Sequence, residues 1–364
     1  MLKRFVNLRS LSFVIAALLL IALPAALSDF QISLLGRFLS YAIVALGLDL
    51  LWGYTGMLSL GQGLFFGLGA YCFGMFLNLE AAAGKMPEFM GLYGVTELPF
   101  FWRPFYSPVF AIAAAIIVPM ILATVIGFML FRSRIQGVYF SIITQALTAI
   151  VALLLVAQQK LINGTNGITE MTSVFGNKLG EHNTTVGLYL ATVIVLGFVY
   201  LGCRLLVKSR FGRLLVAIRD DENRVRFMGY NTVVVKTFVF AISAGIAGLA
   251  GVLLVPQVGI ISPKQIDIVA SIEIVIWVAV GGRGTLIGAI IGAVLVNTGK
   301  SVISSSNSDI WQLIMGLLFV GVVLLFPKGL VGSVKDGYER LKPLWNKSYV
   351  PHTTPEPAIE PEAS

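Results

Sequence analysis

Residues 108–131 read "PVFAIAAAIIVPMILATVIGFMLF", twenty-four consecutive residues without a charge. Runs of nearly this length recur along the chain. A helix of about twenty apolar residues matches the hydrocarbon thickness of a bilayer. Lipid offers no hydrogen-bond partners, so only helices and closed barrels satisfy their backbones there. The runs do not alternate apolar with polar, which selects helices. Composition agrees: 57% of the 364 residues are hydrophobic and only 12% are charged, against about half and a quarter in soluble domains. The expected fold is an all-α integral membrane protein, a polytopic helical bundle.

The pattern gives about 10 transmembrane segments: 11–28, 33–54, 57–79, 108–131, 135–157, 185–207, 235–257, 268–281, 285–300 and 310–326. The spans flanking Gly281–Thr285 read alternatively as a half-helix that dips in and returns. Lys and Arg mark cytoplasmic loops. With the N-terminus inside, Lys3, Arg4, Arg9, Arg132, Arg134, Arg283, Lys328, Lys335, Arg340, Lys342, Lys347 and the whole 208–236 loop fall inside. The loops 80–107 and 158–184 fall outside, which predicts N-in/C-in. The net charge of +8 reports this loop bias and not nucleic acid binding. Residues 1–34 hold the first span. Alternatively they are a signal peptide, since Ala26-Leu27-Ser28 offers a cleavage site. Residues 35–333 form the transmembrane domain, and 334–364 a cytoplasmic, disordered tail rich in Pro and Glu. Cys72 and Cys203 lie inside apolar runs and suggest neither a disulfide nor a metal. The chain calls for no metal and no cofactor.

"GAVLVNTGKS" ends like a phosphate loop, but six residues separate Gly292 from Gly299 where four are needed. The chain therefore has no ATPase site of its own. Ser59, Gly63 and Gly67, then Ala70 and Gly74, form stripes of small residues that let helices approach closely. Gln62, inside that cluster, needs a polar partner or a wet cavity. Asp49 and Glu273 sit at membrane depth and should face the protein interior. Ser141, Thr144, Gln145 and Thr148 share one helix, with Ser141, Gln145 and Thr148 on a single face. Gln62, Ser141, Thr144 and Gln145, with Glu273 as an acceptor, are the candidate solute path. No basic residue in the spans is placed to pair with a carboxylate. "KLINGTNGITEM" predicts tight turns with positive φ.

Charge concentrates in one segment: from Lys208 to Arg226, nine of nineteen residues are charged. Leu214, Ile218, Val225 and Met228 give it one apolar face, and Gly229 suits a C-cap. An amphipathic cytoplasmic helix on a chain without an energy source suggests docking to a motor.

These features resemble the permease subunits of bacterial ATP-binding cassette (ABC) importers of the branched-chain amino acid and urea group. The resemblance covers about residues 35 to 333. It rests on "GYTGMLSLGQG" (53–63), "SAGIAGLAGVLL" (243–254), "GGRGTLIGAIIGA" (281–293) and a coupling loop with Ile218, Arg219, Asp220, Asp221, Glu222 and Gly229. The loop departs from the family's usual Glu-Ala-Ala form at Arg224 and Val225. Several stretches resemble the urea permease more than the amino acid one: 137–147, 163–169, 218–231, 261–263 and 273–286. The resemblance implies an importer of urea or short amides in the bacterial inner membrane. Its partners would be a second permease subunit, two ATPase subunits that use the ATP, and a periplasmic solute-binding protein. An amino acid permease of the same group is the alternative. A secondary transporter or channel needs paired repeats around a charged site, and no repeat is evident. An intramembrane enzyme is disfavoured because the only histidines are His182 and His352.

Overall fold

The computed structural model describes residues 19–304, 313, 314, 316, 317, 320, 321 and 329–333. Ten helices carry the architecture: α1 (Asp29–Thr55), α2 (Gln62–Ala81), α3 (Pro108–Arg132), α4 (Val138–Ala157), α5 (His182–Lys208), α6 (Arg210–Asp220), α7 (Glu222–Phe227), α8 (Thr232–Val258), α9 (Ile268–Gly281) and α10 (Leu286–Ser304). Seven of them, α1 to α5, α8 and α10, are long and apolar enough to cross a membrane. They correspond to seven of the ten expected spans. Residues 11–18 and most of 310–326 lie outside the described residues, as does the 334–364 tail.

Helices α1, α2 and α8 form the buried core, while α3, α4 and α5 pack around it. The outer helices turn large apolar side chains outward, among them Ile121, Val125, Leu153, Leu154, Phe198 and Leu205. That surface suits lipid. Small residues allow the core to close. A Cβ at Gly69 would fall 2.3 Å from the Gly248 carbonyl oxygen, and one at Gly248 2.1 Å from that of Ala115. Helices α2, α8 and α3 thus touch backbone to backbone. The stripes serve packing: Gly67 receives Ile266, Gly74 receives Ile261, and Ala70 lies against Gly251.

One expected span is corrected at its start, and a second keeps its bounds but is short. The span at 57–79 starts as a helix only at Gln62, because Gly56, at φ +74, ends α1. The backbone between them finds side-chain partners: Ser141 donates to the Leu58 carbonyl at 2.6 Å, and the Leu60 N–H donates to Thr144 Oγ1 at 3.1 Å. Non-helical backbone at such depth is tolerated when protein satisfies it. The span at 268–281 is helical within those bounds but has 14 residues, about 21 Å. A hydrocarbon core of about 30 Å needs more. The preceding stretch 259–267 runs along α2, with Ile261 against Gly74 and Ile266 against Gly67. The alternative reading of a half-helix fits α9, while α10 is full length.

Loops sort to two ends. At one end Glu80 accepts from the Phe175 and Gly176 N–H groups, and Asn78 donates to the Thr169 carbonyl. A small hairpin, β1 (Ser173–Val174) against β2 (Asn177–Lys178), sits there. The expected positive-φ turns occur at Asn163, Gly164 and Gly167. The other end carries 133–137, α6, α7 and the Gly282–Gly284 turn. Cys72 and Cys203 are buried and unpaired.

Candidate functional site

The charged segment is one continuous surface helix by sequence, yet it breaks in two at Asp221. Ser209 caps α6 by accepting from the Phe211 and Gly212 N–H groups. Asp221 has extended backbone, at φ −158, and its carboxylate caps α7 by accepting from Arg224 N–H. Helix α7 ends in a Schellman motif: the Tyr230 N–H reaches the Val225 carbonyl and the Gly229 N–H that of Arg226. Gly229 stands at φ +88 as the motif requires.

The three consecutive acids have separate tasks. Asp220 is exposed and pairs with Arg219. Asp221 is the cap. Glu222 locks the segment to the bundle. Its carboxylate accepts from Arg226 Nη2 (2.8 Å), Thr232 Oγ1 (2.9 Å), Lys236 Nζ (2.9 Å) and Gln136 Nε2 (2.8 Å). Burial alone would raise the Glu222 pKa. The hydrogen bond and charge of Lys236, then Thr232 and Arg226, outweigh it and hold the carboxyl below its ordinary value. Lys236 also lies 4.8 Å from the centroid of Phe131. Glu222 therefore faces its own chain.

The apolar face is divided as well. Leu215, Ile218 and Val225 are buried and Leu214 partly so. Phe227, at 91% exposure, Met228 and Tyr230 project from the tip. Arg219 fastens the last turn of α6 by donating from Nη1 to the Gly53 carbonyl at 2.9 Å. Gly53 abuts Gly284, whose N–H donates to Asp49 Oδ1 at 2.6 Å. So the charged segment, the end of α1 and the α9–α10 turn are joined through consecutive contacts. Asp49 faces the interior as expected.

The path candidates separate into two groups. Gln62 donates to Ser243 Oγ at 2.9 Å, and Ser243 donates to the Gly47 carbonyl. Ser141 and Thr144 hold the 56–61 stretch. Ser141, Thr144 and Thr148 form the buried polar face of α4, whereas Gln145 stands half-buried at its edge. Within the expected face Ser141 and Thr148 are buried and Gln145 less so, and it is Ser141 and Thr144, three residues apart, that reach the 56–61 stretch. These groups pack the core.

Glu273 belongs elsewhere. Its two carboxylate oxygens accept from Lys300 Nζ at 2.6 and 2.8 Å. This pair lines a cleft of about 520 Å³ with Tyr41, Phe66, Lys264, Asp267 and Trp277. Lys300, at the end of the expected 285–300 span, is a basic residue at membrane depth that pairs with a carboxylate of its own chain. It lies in the "GAVLVNTGKS" stretch, which is helical. Sequence reasoning missed Lys300 and Lys236; each is a lone cation at the end of an apolar run, the one available signal.

A family model described as "Branched-chain amino acid transport system / permease component" matches residues 31–323. The chain is 27% identical over 342 residues to the high-affinity branched-chain amino acid transport system permease protein LivM of Escherichia coli, covering 88% of this chain and 74% of the relative. It is 24% identical over 302 residues to LivH of the same organism, covering 80% and 91%. It is also 24% identical over 298 residues to BraD of Pseudomonas aeruginosa, covering 80% and 92%. No solved structure matches. With the family model spanning most of its length, the chain belongs to the branched-chain amino acid transport system permease family.

Proposed function

We propose that this chain is the membrane-embedded permease subunit of an ATP-driven importer in a bacterial inner membrane. The docking segment would face the cytoplasm, and the 80–107 and 158–184 loops the outside. The observation that carries this reading is the segment from Ser209 to Tyr230. It is fastened to the core at Arg219 and Glu222, and its Phe227–Met228 tip is left uncovered. A cytoplasmic ATPase subunit is the partner that the family membership favours for such a tip. Two ATPase subunits would supply the energy, a second permease subunit would complete the pathway, and a solute-binding protein would deliver the cargo.

For the cargo, the relatives' names favour branched-chain amino acids over urea. The cleft supports this, because it places a cation, an anion and aromatic rings together. Urea or short amides form a second reading, favoured by the stretches at 137–147, 218–231 and 273–286. Of the neutral groups suggested for urea, Ser141 and Thr144 bond to the 56–61 backbone and Gln62 donates to Ser243, while Gln145 stands half-buried and without such a contact among the described residues. The test is uptake of radiolabelled leucine and urea by cells with and without this gene. Loss of leucine uptake alone supports the amino acid reading, and loss of urea uptake alone the second. If neither falls, the importer reading is wrong.

A further inference from the structure

We propose that Glu273 and Lys300 form a solute-contact station, in which a small solute inserts between the two charges. The inference rests on the permease reading and adds to it the residues that touch the cargo. Helices α9 and α10 lie against each other at close range, since a Cβ at Gly292 would fall 2.0 Å from the Trp277 carbonyl oxygen. Glu273 is eight residues from Gly281, about 12 Å along α9 from the Gly282–Gly284 turn. That depth is well inside a hydrocarbon layer of about 30 Å. The Glu273 side chain is 14% exposed and that of Lys300 39%. The pair is therefore neither sealed in the core nor free in water.

The surroundings limit what can lie over this face. Lys264 and Asp267 line the same cleft, in the stretch that runs along α2. Four ionisable side chains at or near membrane depth are costly against lipid and mark solute pathways or protein contacts. The cleft floor is aromatic: Tyr41 and Trp277 have ring centroids 5.0 Å apart, and Tyr41 and Phe66 6.2 Å. A cleft of about 520 Å³ has room for a small solute with water.

Ion pairs of this sort contribute little net stability, because desolvation offsets attraction. The same balance makes partner exchange inexpensive. A solute that presents N–H donors and an oxygen acceptor a few ångströms apart can give its N–H groups to the Glu273 carboxylate and its oxygen to the Lys300 ammonium. Each charge then keeps a partner. An α-amino acid zwitterion and urea share this chemistry. The zwitterion brings full charges and an apolar side chain for the Trp277 and Tyr41 rings. Urea brings neither, so it depends less on charge at residue 300.

The test uses the complete importer in cells, with three variants: Glu273→Gln, Lys300→Met and the charge exchange Glu273→Lys with Lys300→Glu. Complex assembly is read by co-purification, and uptake of leucine and urea by initial rates over a range of concentrations. The single variants should raise KM for the transported solute by about tenfold or more, the loss of one hydrogen bond to a charged group. Lys300→Met should raise KM more for leucine than for urea, because only leucine brings a full negative charge to residue 300. The exchange variant restores the ion pair and should assemble as the single variants do but not restore uptake, because the solute's donor and acceptor ends now meet the wrong charges. Wild-type uptake in the exchange variant makes the pair purely structural and overturns the proposal. So does unchanged KM in both single variants. If the wild-type importer moves neither solute, the permease reading fails instead.

Discussion

Replacing Glu222 with Ala tests whether this residue locks the docking segment or reaches an outside partner. The substitution removes acceptors from Arg226, Thr232, Lys236 and Gln136 together. Arg226, with its side chain 33% exposed, regains water, whereas Thr232 is buried and loses its acceptor. Lys236 does not regain water either, because its side chain is 4% exposed. Removing one partner of a buried pair costs about 3–5 kcal/mol. Glu222 is not fully enclosed, so the low end applies, about 3 kcal/mol. At 1.4 kcal/mol per factor of ten, local opening of α6 and α7 should rise about a hundredfold. Hydrogen exchange of the purified protein in detergent measures this directly on peptides covering 209–231. Asp220→Ala is the control, since Asp220 is largely exposed and pairs only with its neighbour Arg219. Acid should mimic the substitution. The folded carboxyl titrates below its ordinary value of 4.5. The stabilisation is therefore complete above that value and is lost as pH falls through the folded-state value. Wild-type exchange rates in the Glu222→Ala protein would refute the lock.

Two further outcomes follow from backbone geometry. Gly281→Ala should abolish assembly into a monodisperse particle on gel filtration, because its Cβ would lie 1.8 Å from the Gly288 carbonyl oxygen; Gly299→Ala, in open space on α10, should behave as wild type. Gly229→Val should weaken ATPase co-purification with normal membrane insertion. Its φ of +88 meets no neighbour within 4 Å, so the cost is backbone strain of about 1–2 kcal/mol, and Gly229→Asn should recover much of it.

Much of the bundle was legible because its long helices announce themselves by uninterrupted apolar runs, as in α3. Legibility failed where side chains stand in for backbone partners. Nothing apolar distinguishes 57–61 from the helix that follows. The departure depends on Ser141 and Thr144, more than eighty residues away. The gap between the spans ending at 257 and starting at 268 was readable, and Gly259 at φ +74 ends α8 there; what sequence did not show is that Ile261 and Ile266 pack on the α2 glycines Gly74 and Gly67. In the docking segment, charge density and the Gly229 cap were readable from local rules. The roles of the acids were not, since Glu222 acquires its partners from Gln136 and Lys236 only through the fold. The polar path was read from residue type alone. A hydroxyl that satisfies a backbone carbonyl and one that contacts solute look alike in sequence. Glu273 had the same ambiguity until Lys300 and the cleft appeared beside it.

The central claim is that this chain conducts solute only when a partner hydrolyses ATP. The direct measurement is uptake into proteoliposomes containing the purified permease pair, with and without the ATPase subunits, in the presence of the solute-binding protein. Uptake should appear only with ATPase subunits and ATP on the docking-segment side, and a solute or ion gradient alone should drive none. Gradient-driven uptake by the permease without ATPase subunits would contradict the account.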